Sequence, residues 1–199
     1  MLNNFNAKFL SLLLLIVLFF QQCSLFSTRN PEDPDDLGQI PFIQPDRPEI
    51  ILQNLSNSIS SLSFQNYLSC FSSTTFEFVP SFQASSTNPG IWTGWSVQEE
   101  QTYFTNLATE ARSFKGHGLV LSDSRYEILS ETKQQFIASY SLTFVHNRNS
   151  QGVPNTSIGE IILDLEADSN GLWYITKWTD ISNETFFSWS ELKAIFVRG

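Results

Sequence analysis

Residues 133–180 read KQQFIASYSLTFVHNRNSQGVPNTSIGEIILDLEADSNGLWYITKWTD, and this stretch decides the fold. In residues 136–144, aromatic and aliphatic side chains alternate with Ser and Thr, the period-two pattern of a strand with one buried face. Apolar residues recur across 158–165. The Asp-Ser-Asn-Gly turn at 168–171 is typical of a tight hairpin before a last strand at 173–178. Together with an apolar, alternating segment that precedes them, these residues predict an antiparallel meander.

Amphipathic helices precede the predicted strands. In the first, Ile51, Leu55 and Ile59 recur at the spacing of one helix face. Ser96 and Glu99 have the spacing of a capping box. The predicted elements outside the meander are helices starting at Pro48, Phe64, Val97 and near Ser188 or Ser190, and a short strand within 75–80. Helices first and hairpins after predict an α+β domain, in which N-terminal helices pack on a curved antiparallel sheet and a short helix closes the chain.

The start of the chain has the features of an export signal. Lys8 precedes a run from 9 to 20 that is apolar apart from one Ser. The run is too short to span a hydrocarbon core of about 30 Å, but it matches the apolar region of a secretory signal. We therefore predict a signal peptide over 1–22, a flexible proline-rich acidic tether over 23–47, and one folded domain over 48–199.

Cys23 follows this run at a position that resembles the lipobox of bacterial lipoproteins. In that family the cysteine is lipidated and becomes the N-terminus after cleavage. Phe20, Gln21 and Gln22 depart from the Leu and small residues that the family prefers at these positions. The resemblance implies a lipid-anchored protein of the bacterial cell envelope. Secretion after ordinary cleavage and a retained signal anchor are the alternatives. Cys70, the other cysteine, is expected to be a small buried residue.

The net charge and the absence of known motifs exclude several classes of function. The formal net charge is -9 at pH 7. Phosphate binding needs clustered Lys and Arg, so we expect no nucleic-acid partner. Glycine-rich phosphate loops, Gly-x-Ser-x-Gly elbows and HExxH motifs are absent from the sequence, and its two Cys and two His lack the spacing of zinc ligands. We therefore predict no metal site and no cofactor.

A resemblance to a fold family rests on the C-terminal aromatics and the order of elements. Residues 173–180, Trp-Tyr-Ile-Thr-Lys-Trp-Thr-Asp, and 189–193, Trp-Ser-Glu-Leu-Lys, resemble the cone-shaped domain of the nuclear transport factor 2-like superfamily, also called cystatin-like. The chain also looks like a group of uncharacterised bacterial lipoproteins that carry such a domain after a lipobox and a tether. The resemblance covers roughly 48–196 and implies a pocket between the concave sheet and the helices. Enzymes, binding modules and dimerisation domains share this fold.

The resemblance requires a test for catalytic residues. In ketosteroid-isomerase-like and dehydratase-like members, a carboxylate or histidine moves a proton while a tyrosine or protonated acid steadies an enolate. The candidates here are Asp123, Asp164, His117, His146 and Tyr140. None has a diagnostic partner in the sequence. Asp123 is explained by a bulge, Asp164 by the solvent face of a strand, and both histidines by exposure. Tyr140 is explained as a core tyrosine with a satisfied hydroxyl. We therefore expect no catalytic residue and no enzyme.

Trp92 and Trp95 are the candidate ligand-binding residues, because they lie in a glycine-containing connection near the expected pocket mouth. We predict a membrane-anchored envelope lipoprotein whose noncatalytic domain binds an envelope protein or a small apolar ligand. A second copy bound through the sheet is a further candidate partner. A pocket enzyme of the isomerase or dehydratase type is the alternative. A filled cone favours the binding module, whereas a pocket in which a buried carboxylate faces a tyrosine favours the enzyme.

Overall fold

The computed structural model describes residues 40–183 and 185–199. The predicted signal peptide, Cys23 and the predicted tether up to residue 39 lie outside these residues. The end of the predicted tether contacts the folded domain. Ile43 N donates to Asn54 Oδ1 at 3.0 Å and Asn54 Nδ2 donates to Ile43 O at 2.6 Å, while Trp173 N donates to Pro45 O at 2.8 Å.

A five-stranded sheet forms one wall of the domain, in the order β1-β5-β4-β3-β2. The strands are β1 (Glu77–Val79), β2 (Gly118–Ser130), β3 (Lys133–Thr143), β4 (Thr156–Ala167) and β5 (Trp173–Ser182). Strands β2 to β5 form the predicted antiparallel meander, and β1 joins β5 in parallel. Phe136, Leu163 and Trp178 are paired neighbours across three strands. The predicted apolar alternation therefore builds one continuous buried face.

The predicted helices form at their predicted starts. The helices are α1 (Pro48–Ser60), α2 (Phe64–Leu68), α3 (Phe82–Thr87), α4 (Val97–Ala111) and α5 (Trp189–Phe196). The capping box of Ser96 and Glu99 begins α4, and a second one, of Ser188 and Glu191, begins α5. Helix α3 was not predicted. In the described residues, no helix combines the length and apolar character needed to span a bilayer.

The core lies between the buried face of the sheet and the helices. Helix α1 contacts β2 and β5, and α5 contacts β4 and β5, whereas α4 packs on α2 and α5. Aromatic rings supply much of this core: Phe104 stacks on Tyr67 with ring centroids 4.1 Å apart, and Trp178 meets Trp189 edge-on at 4.3 Å. This packing confirms the predicted α+β fold with helices on a curved sheet.

Strand β2 is irregular near Asp123, as its sequence predicts. The pairing of β2 with β3 shifts between Ser122 and Arg125, and Asp123 has a φ of 50°. An extra residue in the left-handed region is typical of a bulge, which bends the strand and increases its twist. Asp123 is exposed there, away from the core.

Candidate functional site

Lys193 of α5 and Glu100 of α4 form an ion pair at the centre of the cone. Lys193 Nζ bonds to Glu100 Oε1, and both side chains are fully buried. Glu100 Oε1 also accepts from Trp95 Nε1 at 2.8 Å, and Oε2 accepts from Tyr67 OH at 2.7 Å. Buried charges are costly unless they are paired and hydrogen-bonded. Donors from three separate parts of the chain meet that requirement for Glu100.

Aromatic rings surround the ammonium group of this pair. Lys193 Nζ lies 3.8 Å from the ring centroid of Phe78 and 4.1 Å from that of Trp178, with Tyr103 at 5.7 Å. A cation over a ring face is attracted by the ring quadrupole. Burial lowers the pKa of Lys193, and the nearby charge of Glu100 opposes that change. The pair and its rings fill the space between sheet and helices in which the family resemblance implied a pocket.

This pair was not predicted from the sequence, although the distance of each charge from an apolar residue of its helix indicates burial. Charged residues on short helices are ordinarily solvent-exposed, so neither residue stands out by type. Glu100 lies four residues before Phe104, and Lys193 lies four after Trp189. Residues four apart share a helix face, so each charge lies on the apolar face of its helix.

A second buried network holds the start of α5 against the sheet. Asp180 Oδ1 accepts from Tyr140 OH at 2.8 Å, while Asp180 Oδ2 accepts from Ser190 N at 2.7 Å and from the Ser190 hydroxyl. Tyr140 OH accepts from Trp189 N at 2.7 Å, and Ser190 Oγ accepts from Ser81 N at 2.9 Å. Burial raises the pKa of Asp180, and these hydrogen bonds together with the charge of Lys193 oppose the rise. Because the donors point at both carboxylate oxygens, the network fits the ionised form.

This network contains the arrangement that the enzyme alternative required, a buried carboxylate facing a tyrosine. Tyr140 and Asp180 are each only 2% exposed. The Tyr140 hydroxyl already donates to Asp180 and accepts from Trp189, and burial raises its pKa. Tyr140 is therefore the core tyrosine with a satisfied hydroxyl that the sequence predicts. As arranged here, the pair secures α5, and the hydroxyl and both carboxylate oxygens are hydrogen-bonded.

The two tryptophans proposed to bind ligand contact the same aromatic cluster. Trp95 is only 4% exposed and lies in the cone interior, where it donates to Glu100. Trp92 is half-buried, and its Nε1 donates to Ala84 O at 3.3 Å. The Trp92 ring lies 4.9 Å from Trp95 and 5.7 Å from Phe78, measured between centroids. Of the two rings, Trp92 retains the larger surface for contact from outside.

Three of the other catalytic candidates have local roles. Asp123 is exposed at the bulge, and Asp164 accepts from Gln135 Nε2 at 2.8 Å between neighbouring strands. His117 is half-buried rather than exposed, with Nε2 3.0 Å from Phe114 O. Within residues 40–183 and 185–199, no three His, Cys, Asp or Glu side chains come together as metal ligands.

The expectation of an exposed His146 is wrong. His146 is 2% exposed and packs edge-on against Phe196, with ring centroids 5.2 Å apart. Within the part of the chain that the structure describes, neither ring nitrogen meets the geometry of a hydrogen bond. Burial lowers the pKa of His146; the backbone of Pro154 and the charge of Glu110 oppose this change, and Arg148 adds to it. His146 follows the end of β3 beside a polar loop, and a polar neighbourhood indicates exposure. The contact with Phe196, which is distant in the sequence, cannot be read from these neighbours.

Two surface clefts lie outside the filled cone interior. One, of about 820 Å³, lies where the segment before α1 meets the end of α2 and the β4–β5 hairpin, and its lining includes Phe42, Leu68 and Tyr174. The other, of about 800 Å³, lies at the end of β5. We call it the β5-end cleft, and define it by Phe82, Gln83, Asp180, Ile181, Phe186 and Glu191.

Solved structures share this architecture. The chain is similar to a protein assigned as a scytalone dehydratase from Novosphingobium aromaticivorans, with 12% identity, a TM-score of 0.52, and coverage of 66% of this chain and 78% of that one. It is similar to LinA, with 14% identity, a TM-score of 0.50, and coverage of 67% and 81%. An NTF-2-like protein of unknown function from Shewanella oneidensis matches with 11% identity, a TM-score of 0.49, and coverage of 66% and 93%.

At these identities the likeness to solved structures concerns the fold alone. No protein-family model matches the chain, and no curated protein matches it. The curved five-stranded sheet with its covering helices matches the architecture of these neighbours, and a short helix closes the chain. The domain therefore has the nuclear transport factor 2-like fold.

Proposed function

We propose that this chain is a noncatalytic binding module of a bacterial cell envelope, held at a membrane by a lipid on Cys23. The observation that supports the noncatalytic part is the filled cone. Lys193, Glu100, Trp178 and Trp189 are buried in mutual contact where a pocket enzyme would need space for a substrate. A ligand must then be bound on the outside of the domain.

The arrangement of the interior also favours a structural role for its polar groups. Catalytic acids and bases must reach a substrate atom directly or through one water molecule. Glu100 is already bonded to Lys193, Tyr67 and Trp95, and Asp180 is bonded to Tyr140 and Ser190. These partners belong to different elements, so the groups tie the helices to one another and to the sheet.

The anchor is tested by the substitution Cys23→Ala. Wild-type protein from cells should carry an acyl mass on its mature N-terminus and should fractionate with membranes. The variant should carry no acyl group and should leave the membrane fraction. A wild-type N-terminus without an acyl mass, or a variant that is processed and located as wild type, would refute the anchor.

A pocket enzyme of the isomerase or dehydratase type is the second candidate, and Tyr140 facing Asp180 is the observation that favours it. The two functions are separated by fluorine NMR of protein labelled with fluorinated tryptophan. Titration with small cyclic ketones should leave the Trp178 and Trp189 signals in place if the cone is closed. Shifts of both signals that saturate with ketone concentration would support the enzyme.

A further inference from the structure

We propose that the β5-end cleft binds an extended segment of a partner protein in which Lys or Arg stands beside apolar side chains. This inference rests on the proposed binding function and assigns it a surface and a partner chemistry. Open backbone, unbalanced negative charge and exposed rings occur together at this cleft.

The first feature is an unpaired stretch of strand edge. Strand β1 pairs with β5 up to Val79, which lies opposite Thr179. On its other side, β5 remains paired with β4 as far as Ser182. The chain leaves β1 at Pro80, and Ser81 N then donates to Ser190 Oγ at 2.9 Å instead of pairing with β5. In the described residues, no strand pairs with the β1 side of β5 beyond Thr179. Asp180 is buried there, but Ile181 is exposed and Ser182 is half-buried, and an extended peptide can add to such an edge.

The second feature is negative charge without a matching cation. Glu191 lines the cleft in front of the buried Asp180, and the described lining includes no Lys or Arg. Lys193 is buried behind them and is bonded to Glu100. One ammonium therefore faces two buried carboxylates, Glu100 and Asp180, and Glu191 adds a further negative charge at the surface. Complementary charge selects partners and speeds their encounter, so the cleft favours a basic segment.

The third feature is an exposed apolar rim. Phe82 is 85% exposed and Phe186 is 50% exposed, and the exposed Ile181 lines the same cleft. Exposed aromatic side chains that converge on one cleft are typical of contact surfaces rather than of a free surface. Rings beside carboxylates suit Lys and Arg in two ways, since the charged head pairs with the carboxylate and the stem packs on a ring.

An open cleft of this kind fits a protein segment better than an enclosed small ligand. Its aromatic rings belong to a six-residue helix and to the connection that precedes α5, and its lining includes the end of β5. Backbone bonding along that edge supplies affinity for any extended chain, and the rings and carboxylates supply the preference for alternating basic and apolar side chains.

The test begins with selection from a random ten-residue peptide library on the full chain as purified from cells. The selected peptides should be enriched in Lys or Arg next to aromatic or aliphatic residues. No selection, or selection of acidic or uncharged peptides, would overturn the inference. The best peptide is then synthesised with a fluorescent label, and its dissociation constant is measured by polarisation.

Matched variants locate the binding surface. Phe82→Ser should weaken binding about tenfold or more, the loss expected for an aromatic anchor. Glu191→Gln should weaken it about threefold or more because one charge is lost, while Gln keeps the capping box of α5. Leu129→Ser and Glu127→Gln, at exposed positions on β2, are the controls and should leave binding unchanged. Equal weakening by the controls, or no effect of Phe82→Ser, would contradict the assigned cleft.

Two further outcomes separate the alternatives. If the wild-type chain sediments as a dimer that Phe82→Ser dissociates, the occupant is a second copy of the chain and the partner segment is refuted. If Cys23 carries no acyl group but the library still yields basic and apolar peptides, the anchor is refuted and this inference stands. A lipid on Cys23 and a closed cone without peptide selection would overturn this inference alone.

Discussion

The cone interior and the β5-end cleft both combine carboxylates with aromatic rings, but only the cleft leaves its rings exposed. Glu100 in the interior is bonded to Lys193, Tyr67 and Trp95, and no part of it reaches solvent. At the cleft, Phe82 and Phe186 lie exposed beside Glu191 and a strand edge. Residue types alone therefore do not identify a binding site. What distinguishes the cleft is that its rings and the half-buried Glu191 remain accessible to another molecule.

Breaking the interior ion pair should give the largest effect. Lys193→Met leaves Glu100 as an uncompensated buried charge, so the free energy of unfolding should fall by about 3–5 kcal/mol. Chemical denaturation measures this loss. The double variant Lys193→Met with Glu100→Gln should recover most of it, because neither side chain is then charged. A single variant as stable as wild type would contradict the structural role of the pair.

Removing the Tyr140 hydroxyl should have the next largest effect. Tyr140→Phe leaves Trp189 N without its acceptor and Asp180 with one donor fewer, so the free energy of unfolding should fall by about 1–3 kcal/mol. Tyr174→Phe is the matched control, since Tyr174 is half-buried at the edge of the other cleft. We expect the control to change stability by less than about 0.5 kcal/mol. Equal effects of the two variants would show that the network does not secure α5.

Acid should weaken the fold through His146. Because burial lowers the pKa of His146 in the folded state, the unfolded chain binds its proton first as the pH falls below about 6.5. Stability is therefore lost between that value and the lower folded pKa. Thermal unfolding of wild type and of His146→Phe at pH 7 and pH 5 should show a smaller loss in the variant. Parallel losses in the two proteins would contradict this assignment.

The smallest effect on stability is expected at the cleft. Phe82→Ser alters an exposed side chain, so the free energy of unfolding should change by at most about 0.5 kcal/mol. Denaturation curves that nearly superimpose on those of wild type would show that the cleft is separate from the core. A loss above about 1 kcal/mol would mean that Phe82 is part of the packing that holds α3.

Local patterns in the sequence were enough to predict most of the fold. The alternation in 136–144 and the capping box of Ser96 and Glu99 act over a few residues, and both form as predicted. Helix α3 escaped prediction because its six residues carry no apolar stripe and depend on the Ser81 cap. A short helix of this kind is fixed by its surroundings more than by its own propensity.

The candidate sites could not be predicted in the same way. Lys193 and Glu100 are 93 residues apart in the chain, and only packing of α5 on α4 makes burial of both charges favourable. In the sequence, Asp180 looks like an ordinary polar residue at the end of a strand. Its partners Ser190 and Tyr140 are brought to it only by the fold. The β5-end cleft depends on the point at which β1 stops pairing with β5, a register that no local pattern fixes.

The proposed function requires a closed cone, with binding on the outside of the domain. The most direct measurement is fluorine NMR of the chain labelled with fluorinated tryptophan, with a soluble paramagnetic reagent added to broaden accessible signals. Single Trp→Phe variants assign the five resonances. We expect the Trp92 signal to broaden while those of Trp178 and Trp189, both fully buried, stay sharp. Broadening of Trp178 and Trp189 to the extent seen for Trp92 would show an open pocket and contradict the account.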